Sequence, residues 1–147
     1  MRTEPMHTRT LWQGAVTNAE LVAVVTNAAR AAWPRLRIPV AVDRATLPFM
    51  CWQYVRQCTT YAAERGTQTV RMPWAFVRLG VGDCKTTAVF IASICRAAGL
   101  PTQIRFTSNA EGRYYTHVFA IIQGKPVDPL LEFGVGPVGL LTLDQRL

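Results

Sequence analysis

One stretch restricts the fold more than any other: Gly80-Val81-Gly82-Asp83-Cys84-Lys85, running straight into an apolar segment from Thr86 to Ala98 that stops at Gly99-Leu100-Pro101. Val89, Phe90, Ile91, Ile94 and Cys95 are interleaved with alanines and leave almost no polar stripe. A helix apolar on every face has to be buried, so the remaining chain must wrap it. Asp83 is suited to cap its start, because a carboxylate can accept the free N–H groups of a first turn. Gly99 with Pro101 two residues on marks its end. Cys84 then falls on the first helical position. There the positive end of the helix dipole, with Lys85 beside it, favours a thiolate. Gly80 and Gly82 would allow a substrate backbone to come close.

The rest of the chain has the size and composition to bury such a helix. It has 147 residues, of which 50% are hydrophobic, enough for a single domain with its own core. No apolar run is long enough to span a bilayer, and the polar start lacks the apolar region of a signal peptide; an intracellular origin is the expectation. The net charge of +7 comes almost wholly from scattered arginines. There is no basic block and no nucleic-acid motif, so a solvated basic surface is expected rather than a nucleic-acid partner. The four cysteines form no Cys-x-x-Cys pair and there are two histidines, so neither a metal site nor any other cofactor is expected, and the thiols are expected reduced.

Taken in order, residues 1–16 read as a flexible lead with Leu11-Trp12 as an anchor, and 17–66 as a helical part. Thr17-Asn18-Ala19-Glu20 is a capping box, followed by apolar residues at helical spacing up to Trp33-Pro34. Ile38 to Val42 reads as a short extended piece. Thr46 is expected to cap a second helix that runs to Gly66, with Cys51, Tyr54, Val55, Cys58 and Ala62 on its inner face; Cys51 and Cys58 are then core packing. Residues 67–131 form the candidate catalytic core. In it, Met72-Pro73-Trp74-Ala75-Phe76 is apolar but interrupted by proline and should lead into the glycine-rich turn. After Pro101 the period becomes alternating, which predicts strands over Thr102–Thr107, Tyr114–Ile122 and Lys125–Asp128. Residues 132–147 read as a Gly- and Pro-rich tail that wraps the domain or meets a protein partner.

A thiol nucleophile needs a base, and the base needs a group to hold its tautomer. His7 lies in the lead, which leaves His117, mid-strand on the face of Tyr115, Phe119 and Ile121. If Gln123-Gly124 is a two-residue hairpin loop, Ile122 pairs with Lys125 and Phe119 faces Asp128. That makes Asp128 the diagonal neighbour of His117. A slip of one residue would put Asp128 on the wrong face. The Cys84 N–H is the natural oxyanion donor; Trp74 and Gln68 are candidates for a second, with Gly82 and Asp83 beside the substrate.

This order of Cys, His and Asp resembles the transglutaminase-like superfamily, relatives of papain-like cysteine proteases. The matching residues are Gly82-Asp83-Cys84, Arg96-Ala97-Ala98-Gly99-Leu100-Pro101, Thr116-His117-Val118 and Val127-Asp128-Pro129, within Trp74 to Leu131. The resemblance implies an α+β fold, in which a buried cysteine-bearing helix packs on an antiparallel sheet carrying His and Asp. It also implies a Cys84–His117–Asp128 triad that attacks amides or thioesters of a protein or peptide substrate. Small chains of this kind resemble ones from bacteria and their tailed phages, where the same fold, catalytically silent, would serve as a virion-associated or bacterial interaction protein. Lys85 and Val118-Phe119 depart from the acidic residue and the tryptophan that many relatives carry at those positions.

Overall fold

The structure is a computed structural model that describes residues 17–63, 69–108, 114–139 and 141–147. The expected contributions of Leu11-Trp12, Gly66 and Gln68 lie outside these residues. In chain order the elements are α1 (Asn18–Ala32) with a 3-10 turn (Trp33–Arg35), α2 (Leu47–Cys58), β1 (Thr60–Tyr61), α3 (Pro73–Leu79), β2 (Val81–Gly82), α4 (Cys84–Ala97), β3 (Thr102–Ser108), β4 (Tyr115–Ile122), β5 (Lys125–Val127) and β6 (Thr142–Arg146). It is an α+β arrangement. The four longer strands form an antiparallel sheet in the order β5-β4-β3-β6, and α4 lies between that sheet and the three other helices. Among the described residues no helix is long and apolar enough to cross a membrane.

α4 is buried from Lys85 through Ser93 and again at Cys95, as its composition requires. Asp83 accepts from the N–H groups of Lys85 and Thr86, and its carboxylate pairs with the Lys85 ammonium. At the other end, the N–H of Gly99 (φ 86°) donates to Arg96 O at 2.9 Å and that of Leu100 to Cys95 O at 3.0 Å, a Schellman stop. On the sheet side α4 meets Ile104, Phe106, Val118, Ala120 and Ile122; on the helix side, Ala28, Ala29 and Ala32 of α1 are fully buried and let the two helices come close.

Several expectations need correction. Residues 38–42 form a turn rather than a strand: Val42 N–H donates to Pro39 O, and the Arg44 guanidinium donates to the carbonyls of Pro39, Val40 and Val42. Thr46 precedes α2, but its hydroxyl donates back to Asp43 O instead of capping the helix. α2 ends at Cys58, not Gly66. Thr59 turns to extended geometry, its hydroxyl donates to Val55 O at 2.6 Å, and Thr60–Tyr61 pair in parallel with Val81–Gly82. That early end leaves Cys58 exposed, so only Cys51 of the two is core. Finally, Pro73 does not interrupt structure; it starts α3, where its missing N–H costs nothing.

The hairpin between β4 and β5 has the expected register, Ile122 opposite Lys125 and Ala120 opposite Val127, across a two-residue loop with Gln123 and Gly124 both at positive φ (52° and 78°). In such a loop the flanking pair exchanges hydrogen bonds. The next residue, Pro126, therefore turns the position of its absent N–H toward the free edge. At the far end of β4 a register shift between Thr107 and Ser108 turns Tyr115 inward, its ring 5.8 Å from that of Phe106, so Tyr115 does not share the His117 face as expected. The closing segment, read as a tail, ends in strand β6, which pairs along β3 and binds it further through a bidentate Arg105–Asp144 ion pair at 2.7 and 2.8 Å.

Candidate active site

The last rung of the β4–β5 ladder is at Ala120, so His117 stands beyond the end of β5, at the margin of the sheet. Two elements reach it there. The segment leaving β5 brings in Asp128, whose Oδ2 lies 2.6 Å from His117 Nε2. The start of α4 brings the Cys84 thiol up to the same ring, close enough to raise its pKa. With Nε2 engaged by Asp128, Nδ1 is the nitrogen left for the sulfur. The ring also stacks on Phe119, centroids 5.7 Å apart.

Burial disfavours the charged imidazole, yet the hydrogen bonds and negative charges of Asp128 and Cys84 outweigh it and push the His117 pKa up to about 10. Asp128 itself is only 2% exposed, and it is braced from two sides. Leu130 N–H donates to its Oδ1 at 3.1 Å, and the Trp52 indole of α2 donates to its carbonyl at 3.2 Å and to Leu131 O at 3.0 Å. A carboxylate so fixed can hold one histidine tautomer and one ring orientation.

The structure thus brings Cys84, His117 and Asp128 together. It gives the other named residues different surroundings. Gly82 is buried, and a Cβ there would lie 2.8 Å from Thr86 Cγ2 and 3.1 Å from Phe76 Cε1, so its smallness serves packing beneath α4 rather than substrate approach. Gly80, at φ 69°, caps α3. Asp83 is buried and committed to the helix start and to Lys85. Trp74 stands in the first turn of α3 with the Arg35 guanidinium 4.8 Å over its ring.

Tyr61 went unnoticed in the sequence. Parallel pairing of β1 with β2 sets it opposite Gly82, and its phenol lies against both the thiol and the backbone N–H of Cys84. Tyr61 is 43% exposed, but partial desolvation of the hydroxyl, followed by the charges of Cys84 and Asp83, raises its pKa to about 12, so it keeps its proton at neutral pH. The one available signal was Thr59-Thr60-Tyr61, a cluster that favours extended structure inside an expected helix. The remaining cysteines have other environments: Cys95 is buried, with its pKa raised by a hydrogen bond to Cys51 and by burial, and Cys58 is on the surface. Among the described residues no group of three or more His, Cys, Asp or Glu is placed to hold a metal ion.

Compared with known proteins, residues 47–124 match the family model described as transglutaminase-like superfamily. A solved structure from Cytophaga hutchinsonii, carrying the provisional description of a cysteine protease, aligns at 11% identity with a TM-score of 0.44, over 80% of this chain and 40% of that one. The chain therefore spans about two fifths of the length of that protein. The comparison with curated proteins gave no match.

Proposed function

Because the chain belongs to the transglutaminase-like superfamily, we propose that it is a thiol enzyme that cleaves or transfers an acyl group from an amide or thioester, with Cys84 as nucleophile. The observation that carries this reading is the His117 ring, hydrogen-bonded to a buried carboxylate and close enough to the Cys84 thiol for its pKa to be raised by it. The Cys84 thiolate attacks the carbonyl carbon and a C–S bond forms as the C=O electrons move to oxygen. The Cys84 N–H and the Tyr61 hydroxyl are the donors at hand for that oxyanion. The imidazolium then gives its proton to the leaving amine or thiol as the tetrahedral species collapses to an acyl-cysteine. His117, now neutral, takes a proton from water or from an acceptor amine, which attacks the acyl group and releases the sulfur. Asp128 orients the ring and stabilises its charge throughout.

The test is the pH dependence of iodoacetamide alkylation, read peptide by peptide with mass spectrometry, with Cys84→Ala as control and surface Cys58 as internal comparison. Cys84 is expected to react faster than Cys58 at neutral pH, and His117→Ala to remove that advantage. A Cys84 rate that rises only near the ordinary thiol value of about 8.5 would overturn the ion-pair reading. Turnover of any acyl substrate is expected to fall by about 10³-fold or more in Cys84→Ala.

A further inference from the structure

A cavity of about 210 Å3 lies one residue away from the nucleophile, with Tyr61 and Thr87 between it and Cys84. Its walls are fixed to the reacting groups. Tyr61 touches Cys84, Thr87 donates its hydroxyl to Cys84 O at 3.2 Å, and Pro129 and Leu130 directly follow Asp128. Val55 adds apolar surface from α2. The volume lies below the 300–1,000 Å3 of a drug-sized cleft and suits one side chain of an acyl donor whose carbonyl sits at Cys84.

Arg56 supplies the charge. Its Nη1 donates to Pro129 O at 2.9 Å and to Leu131 O at 3.3 Å, and its guanidinium lies 4.8 Å over the Trp52 ring. The cation is therefore held in place before any ligand arrives. Both bonds use one nitrogen, so the fork keeps donors on Nη2 and Nε. Among the described residues no carboxylate lies within ion-pair distance of Arg56. A preorganised guanidinium with no acid partner among the described residues, next to apolar walls, matches an aliphatic stem that ends in a carboxylate.

Resting on the thiol-enzyme reading above, the geometry points to an acyl donor with an acidic side chain next to the scissile carbonyl, glutamyl in type, bound in this cavity and read by Arg56. The test compares N-acetyl-glutamyl with N-acetyl-glutaminyl chloromethyl ketone, which are nearly isosteric. In each, Cys84 sulfur forms a bond to the methylene carbon and chloride leaves. The full chain at neutral pH and low salt should be labelled at Cys84 at least about tenfold faster by the acidic probe. The ratio should fall toward one in Arg56→Met, survive in part in Arg56→Lys, and shrink as salt is raised. Thermal melting checks that each variant is folded. Equal rates in the wild-type chain, or a preference unchanged in Arg56→Met, overturn the inference while the catalytic reading stands. Labelling by neither probe, with iodoacetamide no faster at Cys84 than at Cys58, overturns both.

Discussion

His117 sits where two demands on one ring conflict. Burial favours the neutral form and two acids favour the cation, and the acids prevail. The consequence for stability has a definite sign. The pKa is raised from 6.5 unfolded to about 10 folded, so the stabilisation is complete below pH 6.5 and is lost as pH climbs through about 10. Urea unfolding of the wild type and of His117→Gln should therefore differ most near pH 6 and progressively less toward pH 10. A gap that stays constant across that range would mean the ring is not held as a cation. The pairing of His117 with Asp128 could be anticipated because a two-residue loop fixes register arithmetically. Tyr61 could not, because its position depends on a strand pairing across about twenty residues of intervening chain, which no local pattern encodes.

α4 and its flanks are legible for the opposite reason: their signals are local. An N-cap carboxylate, an all-apolar body and a glycine stop each act within one turn. α3 was obscured because proline reads as a breaker unless the helix start is already known. The seat of α4 depends on contact as well as capping. Gly82→Ala would press a methyl group onto Thr86 Cγ2 and Phe76, displacing β2 and the turn that carries Cys84. We expect it to cost about 1–3 kcal/mol and to slow Cys84 alkylation. Thr86→Ser removes the offending methyl while keeping the hydroxyl that accepts from Arg71 N–H, so Gly82→Ala with Thr86→Ser should recover much of the loss. If the double variant is as unstable as the sum of the two, the contact is not the cause.

Across the whole molecule, the final strand is the part the sequence disclosed least. Thr142-Leu143-Asp144-Gln145-Arg146 alternates weakly, and its place is set by β3, roughly forty residues earlier, together with the Arg105–Asp144 pair. Deleting residues 142–147 should lower thermal stability by about 3 kcal/mol or more, roughly 6–12 °C in the melting temperature. A melting temperature within two degrees of the full chain would make β6 an ornament. A truncation after Glu132 likewise removes a sheet strand, so lost partner binding in such a variant would not isolate a docking contact. At the opposite border stands Pro126, the one β5 residue facing outward in a three-residue strand. A chain that has just closed its last hairpin thus offers newcomers no donor at that rim, and crowded copies are kept from stitching themselves there into longer ribbons.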